Sequence, residues 1–192
     1  MPRPSLKTER TEEILEAFEN CVARYGVEGS TLERIAEEAG LARALIRHNV
    51  GNKDELLDAL VKRFLDKSQH DSVSFFESLP QRNRIRTLID WLFNPTLGSA
   101  HDVRVASALI AAATDRPKLA KRLRVWTKDF IDSVERELRA SYRCPSNEKI
   151  RAVAAGIVGI YFNVDSLAPL GNMAGIRSAS KEAALLLIST LD

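Results

Sequence analysis

Three observations predict an all-α fold with about nine helices, a small N-terminal three-helix domain followed by a larger helical one. Apolar residues recur at helical three- and four-residue spacing through most of the chain. No stretch alternates with period two for long enough to make a strand. Gly26, Gly40, Gly51, Pro80, Pro95, Pro117 and Pro145 fall between the periodic runs, where breakers belong. A chain of 192 residues, 45% hydrophobic, can bury one small and one larger core.

The first helix follows from Ile14, Leu15, Phe18, Val22 and Tyr25, which share one face until Gly26 stops the run. Ser30 and Glu33 form a capping-box pattern that starts a second helix at about Thr31. Gly40 can take the left-handed conformation that ends this helix, Ala36 allows close approach, and Ile35, Leu41 and Ile46 supply the apolar lock. Two short helices crossing through a tight turn read as a DNA-binding helix-turn-helix, with Ala42 to Val50 as the recognition helix. Gly51 breaks that helix, and Asn52 with Glu55 caps a fourth carrying Leu56, Leu57, Leu60 and Phe64.

A formal net charge of +2 is no argument for nucleic acid, and residues 1–55 hold 8 Lys or Arg against 11 Asp or Glu. Distribution decides. Glu9, Glu12, Glu13, Glu16 and Glu19 on the first helix and Glu33, Glu37 and Glu38 on the second are expected to face solvent away from DNA. From Leu41 to Lys53 there are Arg43, Arg47 and Lys53 and no acid. Arg3, Lys7 and the terminal amine form an arm within reach of phosphates or a minor groove. Arg43, Ala44 and Leu45 make the N-terminal turn that enters the major groove, with Arg47 and His48 one turn later, and either arginine can grip a guanine. Lys53 and the free amides at Thr31 suit phosphate. Asn49 either contacts a phosphate or satisfies the helix end.

Ile14-Leu15-Glu16-Ala17-Phe18, Thr31-Leu32-Glu33-Arg34-Ile35-Ala36, Ala39-Gly40-Leu41 and Asn52-Lys53-Asp54-Glu55-Leu56-Leu57, in one order and spacing, resemble the tetracycline-repressor (TetR) family of bacterial transcription regulators. The resemblance covers roughly residues 10–60. It implies an all-helical homodimer whose N-terminal domain, residues 1–53, reads a palindromic operator in double-stranded DNA. Residues 54–192 would then form the effector-binding and dimerisation domain. Where the family commonly carries Tyr-x-Tyr-Phe this chain has Arg47-His48-Asn49-Val50, so the tyrosine contacts to the DNA backbone do not carry over.

Beyond Phe64 the spacing predicts helices near 54–77, 82–94, 101–114, 117–140, 147–170 and 177–191. Leu119, Leu123, Trp126, Phe130, Val134 and Leu138 form a continuous apolar stripe, which places that helix in the second core. The segment from Ala152 to Tyr161 is apolar almost all round and the final segment from Ser180 to Leu191 nearly so, and burying both calls for a second subunit packed on the last two helices. Trp91, Trp126, Phe130 and Tyr161 are the best candidates to line an apolar effector cavity, with Phe93 and Phe162 nearby. His101, Asp102, Asn163 and Asp165 are polar groups able to orient a small-molecule effector. Asp165, set in an apolar helix, needs a partner, which an arginine of the same chain would also supply.

Other functions find less support. The three histidines are scattered, no glycine-rich phosphate loop occurs, and neither cysteine sits in a metal-ligand pattern, so no enzyme, metal or cofactor is expected. Cys21 on the inner side of the first helix and Cys144 before Pro145 read as reduced thiols. No run is expected to reach membrane-spanning length, and the polar N-terminus lacks a signal-peptide core, which points to the cytoplasm. The acidic N-terminal region and the missing tyrosines leave one alternative, a helical protein-interaction adaptor without DNA recognition. Salt-dependent duplex binding separates the two.

Overall fold

The computed structural model describes residues 6–192, with side chains from residue 9 onward. Arg3 and the terminal amine of the expected arm lie outside the described residues, as does the Lys7 side chain. Among the described residues there are nine α-helices, two single turns of 3-10 helix and no strand. The helices are α1 (Leu6–Gly29), α2 (Leu32–Ala39), α3 (Arg43–Val50), α4 (Lys53–Glu77), α5 (Arg84–Leu92), α6 (Ala100–Ala112), α7 (Pro117–Ser141), α8 (Asn147–Ser166) and α9 (Ala174–Ser189).

The chain forms two compact units. The first comprises residues 1–69 and 104–121, the second 70–103 and 122–192, so the divisions fall inside α4, α6 and α7.

In the first unit Ile14, Phe18, Cys21, Ile35, Ile46, Leu56 and Leu60 are fully buried. Each supplies the apolar area that holds short helices too small to be stable alone. The helix α1 is broken at Gly26, whose φ of 70° and ψ of 174° lie outside helical space, as the stop signal there predicts. Tyr25 departs from the expected apolar face. It is 49% exposed, because the chain turns at the next residue, and the Arg34 guanidinium lies 4.5 Å from its ring centre. Glu19 also departs from expectation: it is buried against α4, where the Arg63 Nε lies 3.1 Å from its carboxylate and the same guanidinium pairs with Glu12.

In the second unit Leu88, Ile89, Val134, Leu138, Ala154, Ile157 and Ala184 form the centre of one apolar core. Arg84 ties its edge, bonding Glu137 at 2.6 Å and the carbonyls of Phe76 and Leu79. The α7 stripe does not lie wholly in this core: Val134 and Leu138 are buried in it, Leu123 is buried, Trp126 and Phe130 are half-buried, and Leu119, also buried, belongs to the first unit, because α7 runs through both. One expectation is overturned. The segment Asn147–Leu170 is long and apolar enough to cross a membrane by length and composition, because isoleucine and valine recur along it with few charged residues between them. Its Ile150, Val153, Ile157, Val158 and Val164 are buried in this fold, and α8 packs against α9.

Candidate functional site

Local backbone chemistry builds the helix-turn-helix. Thr31, with extended φ and ψ of −78° and 158°, is the N-cap of α2, and its side chain accepts a hydrogen bond from the Arg34 amide. The capping-box reading of Ser30 with Glu33 is therefore one residue early. Ser30 is fully buried and donates to the Gly26 carbonyl at 2.7 Å, an acceptor exposed by the break in α1. Nor is the Thr31 amide free, since it donates to the Gly29 carbonyl at 3.1 Å.

At the turn, Gly40 adopts the left-handed conformation, φ 64° and ψ 29°, and its amide reaches the carbonyls of Ala36 and Glu37. Leu41 adds a bond to the Ala36 carbonyl at 2.9 Å. The helix α3 follows after Ala42 and ends at Gly51, with φ of 79°. A side chain at position 51 would collide with the Glu55 carboxylate. That carboxylate is already engaged, accepting from the Asn52 amide at 2.8 Å while the Asn52 side chain accepts from the amides of Asp54 and Glu55. The cap expected from Asn52 and Glu55 is present in full.

Ile46 is fully buried and fixes the rotation of α3. Helical spacing then turns Ala44, Leu45, Arg47 and His48 outward, and all four are exposed. Arg47 and His48 have no ion-pair partner among the described residues. Arg43 is engaged differently, meeting Glu33 at 2.6 Å, though both side chains are more than half exposed. The Glu33 carboxyl lies below its ordinary range, held there first by its own backbone amide, then by the Thr31 hydroxyl and the Arg43 charge. Asn49 spends its amide on the Leu45 carbonyl at 2.8 Å, the helix-satisfying role of the two that its type allows. Lys53 donates to the Glu28 carbonyl at 3.3 Å. Glu28 also pairs with Arg116, and that hydrogen bond is the first cause of its lowered pKa.

In the second unit the effector candidates lie in one run of ring contacts. Trp91 meets Phe75, Phe75 meets Phe76, Phe76 meets Phe130, and Phe130 meets Tyr161 at centroid separations of 5.2–6.0 Å. Trp126 stacks on Phe162 at 5.4 Å with the ring planes 12° apart, and Phe162 stacks on Phe130. Phe75, Phe76 and Phe162 join the four rings that the sequence singles out; Phe75 and Phe76 share the apolar run at the end of α4, a signal present in the sequence. Asp165 finds the arginine partner considered for it: Arg177 lies 3.0 Å away, and both side chains are about 15% exposed. Burial first, then the neighbouring Asp165 charge and a hydrogen bond to it, hold the Tyr161 hydroxyl far above the usual phenol range. His101 and Asp102 are half-buried at the start of α6, and neither is unpaired.

Asn163 is placed elsewhere. It joins Gly159, Ile160, Ile176, Ala179, Ser180 and Ala183 along an open groove of 470 Å³ between α8 and α9. Ile176 and Leu186 of α9 are 50% and 61% exposed.

Residues 14–60 match the family model of bacterial regulatory proteins, tetR family. The HTH-type transcriptional regulator BetI of Vibrio vulnificus is 25% identical over 163 residues, covering 83% of this chain and 81% of the relative. Among solved structures, a TetR-family transcriptional regulator from Cytophaga hutchinsonii superposes with a TM-score of 0.77 at 14% identity, covering 100% of this chain and 98% of that one. A transcriptional regulator from Saccharomonospora viridis, solved with choline, gives 0.72 at 16% identity over 95% and 96% of the two chains. At such identities the two structures speak for the fold alone.

Proposed function

This chain belongs to the tetR family of bacterial regulatory proteins, and from that premise we propose that it is a cytoplasmic homodimeric repressor, released from a palindromic operator by a small-molecule effector. DNA binding and transcriptional regulation are the family's work. The observation that carries the reading of the interface is the outward face of α3, where Arg47 and His48 stand exposed on a helix without a single acidic residue, rotated into place by Ile46. Such a face suits a polyanion and a groove of base edges. Arg47 is assigned to a guanine. Arg43 joins it on exchanging Glu33 for DNA, and Ala44, Leu45 and His48 lie against the groove. Thr31, Asn49 and Lys53 flank the backbone, with Lys53 leaving Glu28 for a phosphate. Residues 1–53 thus do the reading, and 54–192 the dimerisation and effector binding.

The open groove between α8 and α9, lined in part by exposed Ile176, together with exposed Leu186 further along α9, supports dimerisation through the last two helices. For the effector we assign Trp91, Trp126, Phe130, Tyr161 and Asp165. The rings stack on one another, so an apolar effector must part them to bind. The choline of the Saccharomonospora neighbour is not carried over, because Arg177 already neutralises Asp165.

Selection of duplexes from a random library with the purified protein tests the reading. A palindromic motif with half-sites about one helical turn apart is expected, from the spacing of successive major grooves. Binding without sequence preference would overturn it. A compound that releases this operator should change tryptophan fluorescence, and the operator should weaken that compound's binding by the same factor, typically about 5–150-fold. Release without a fluorescence change would remove the aromatic cluster from the effector site.

A further inference from the structure

We propose that Leu45 reads a thymine, packing against its 5-methyl group in the major groove; this rests on the placing of α3 in that groove. Four observations lead to it. Leu45 is a large apolar side chain left 43% exposed on a helix whose other bulky apolar residues, Ile46 and Val50, are buried and half-buried. Its place is on the outward face, one helical turn before His48, and not at the margin of the core. The side chain that would ordinarily recognise an adenine by paired hydrogen bonds, Asn49, has its amide engaged with the Leu45 carbonyl at 2.8 Å. Ala44 next to it carries only a methyl group, which lets the backbone come close to the base edges and gives the longer leucine its reach. An A·T pair offers α3 an apolar feature in the major groove, the thymine methyl, and Leu45 is the outward residue that matches it.

The division of labour is then plain. Arg47 serves a G·C pair through charge-assisted hydrogen bonds, and Leu45 serves an A·T pair through dispersion and the removal of apolar surface from water.

The full-length protein and its selected duplex provide the test. Each thymine is replaced singly, in both half-sites, by deoxyuridine, which removes the methyl and leaves the pairing edge intact. Wild-type protein should lose about fourfold in affinity per half-site at one thymine position, the worth of one buried methylene-sized group, and little at the others. Leu45→Ala should bind the thymine duplex more weakly and be indifferent to deoxyuridine at that position. Leu45→Met, which keeps an apolar side chain of similar volume, should retain the sensitivity. A duplex that is selected and bound, yet has no position where deoxyuridine matters, overturns the assignment of Leu45 while leaving the groove helix standing. A Leu45→Ala protein that still senses the methyl does the same. Failure to select any duplex overturns the groove placement and this proposal with it.

Discussion

The outward faces of α3 and of the α8–α9 pair are opposites. Eight residues of α3 bury one side chain, Ile46, and present arginine and histidine to solvent. Twenty residues of α8 bury six side chains, and the open groove beside α9 is still lined by Gly159, Ile160, Ile176 and Ala179. A charged face is at rest in water and gains from a partner that exchanges counterions for fixed charges. An apolar face is not at rest, and gains from any surface that removes it from water. On the reading proposed above the two faces take different partners, duplex DNA for one and a second copy of the chain for the other, and perturbations should separate them.

The largest expected effect is on the support of the charged face. Ile46→Ala removes a fully buried side chain and should cost about 2–5 kcal/mol of stability in denaturant unfolding, with operator binding lost and self-association kept. Loss of the dimer in the same variant would break the separation. Gly159→Leu should act on the other face. A Cβ at 159 would meet nothing within 4 Å in its own chain, and the position opens onto the groove, so the backbone there accepts a side chain. In a dimer it overfills a close contact, at about 1–3 kcal/mol, shifting the protein towards monomer in analytical ultracentrifugation and weakening operator binding through mass action. An unchanged dimer at low concentration would move the interface elsewhere.

Within the charged face, Arg47→Ala should cost about 1–3 kcal/mol on the preferred operator and relax one position per half-site, whereas Lys53→Ala should weaken all duplexes alike and lower the salt slope by about one unit. Equal, sequence-blind losses for both would remove Arg47 from base reading. The smallest effect belongs to neither face. Glu135 is nearly buried, hydrogen-bonded by Arg139 and within 3.5 Å of Arg151; those contacts, Arg139 first, hold its carboxyl below its ordinary range. A carboxyl depressed in the folded state contributes stability above its unfolded pKa of about 4.3, lost as pH falls through the lower folded value. Glu135→Gln should therefore cost about 1 kcal/mol at neutral pH, and the gap to wild type should close in acid unfolding below about pH 4, with DNA binding unaffected. A gap that persists at low pH would show that packing, not charge, accounts for the loss.

Legibility followed the range of the interactions. Gly40, Gly51 and the Asn52–Glu55 cap were readable because a positive φ or a side-chain cap depends on neighbours a few residues away. The cap of α2 is ambiguous by one residue in the sequence because Ser30 and Thr31 are both good cap formers, and only the broken end of α1 gives Ser30 its other acceptor. Glu19 and Tyr25 depart from their helical pattern for a similar reason. What buries one and exposes the other is the position of α4 and the bend at Gly26. In the second unit the stripe on α7 was readable as core, yet the partner of Asp165 lies beyond a turn at Arg177, and no local pattern announces it. Membrane-length hydropathy in α8 comes from isoleucines and valines that, in the folded chain, are buried in the second core.

The stop signals of the helix-turn-helix share one further property. Thr31 with Arg34, Gly40 and Leu41 with Ala36, Gly51 with Arg47, and Asn52 with Glu55 are all closed over five residues or fewer. Contacts of such short sequence separation need almost no loop closure and form early in folding. The turn between α2 and α3 is therefore favoured locally, by contacts that need no distant segment, while α1 and α4 supply the buried surface that keeps the two short helices formed.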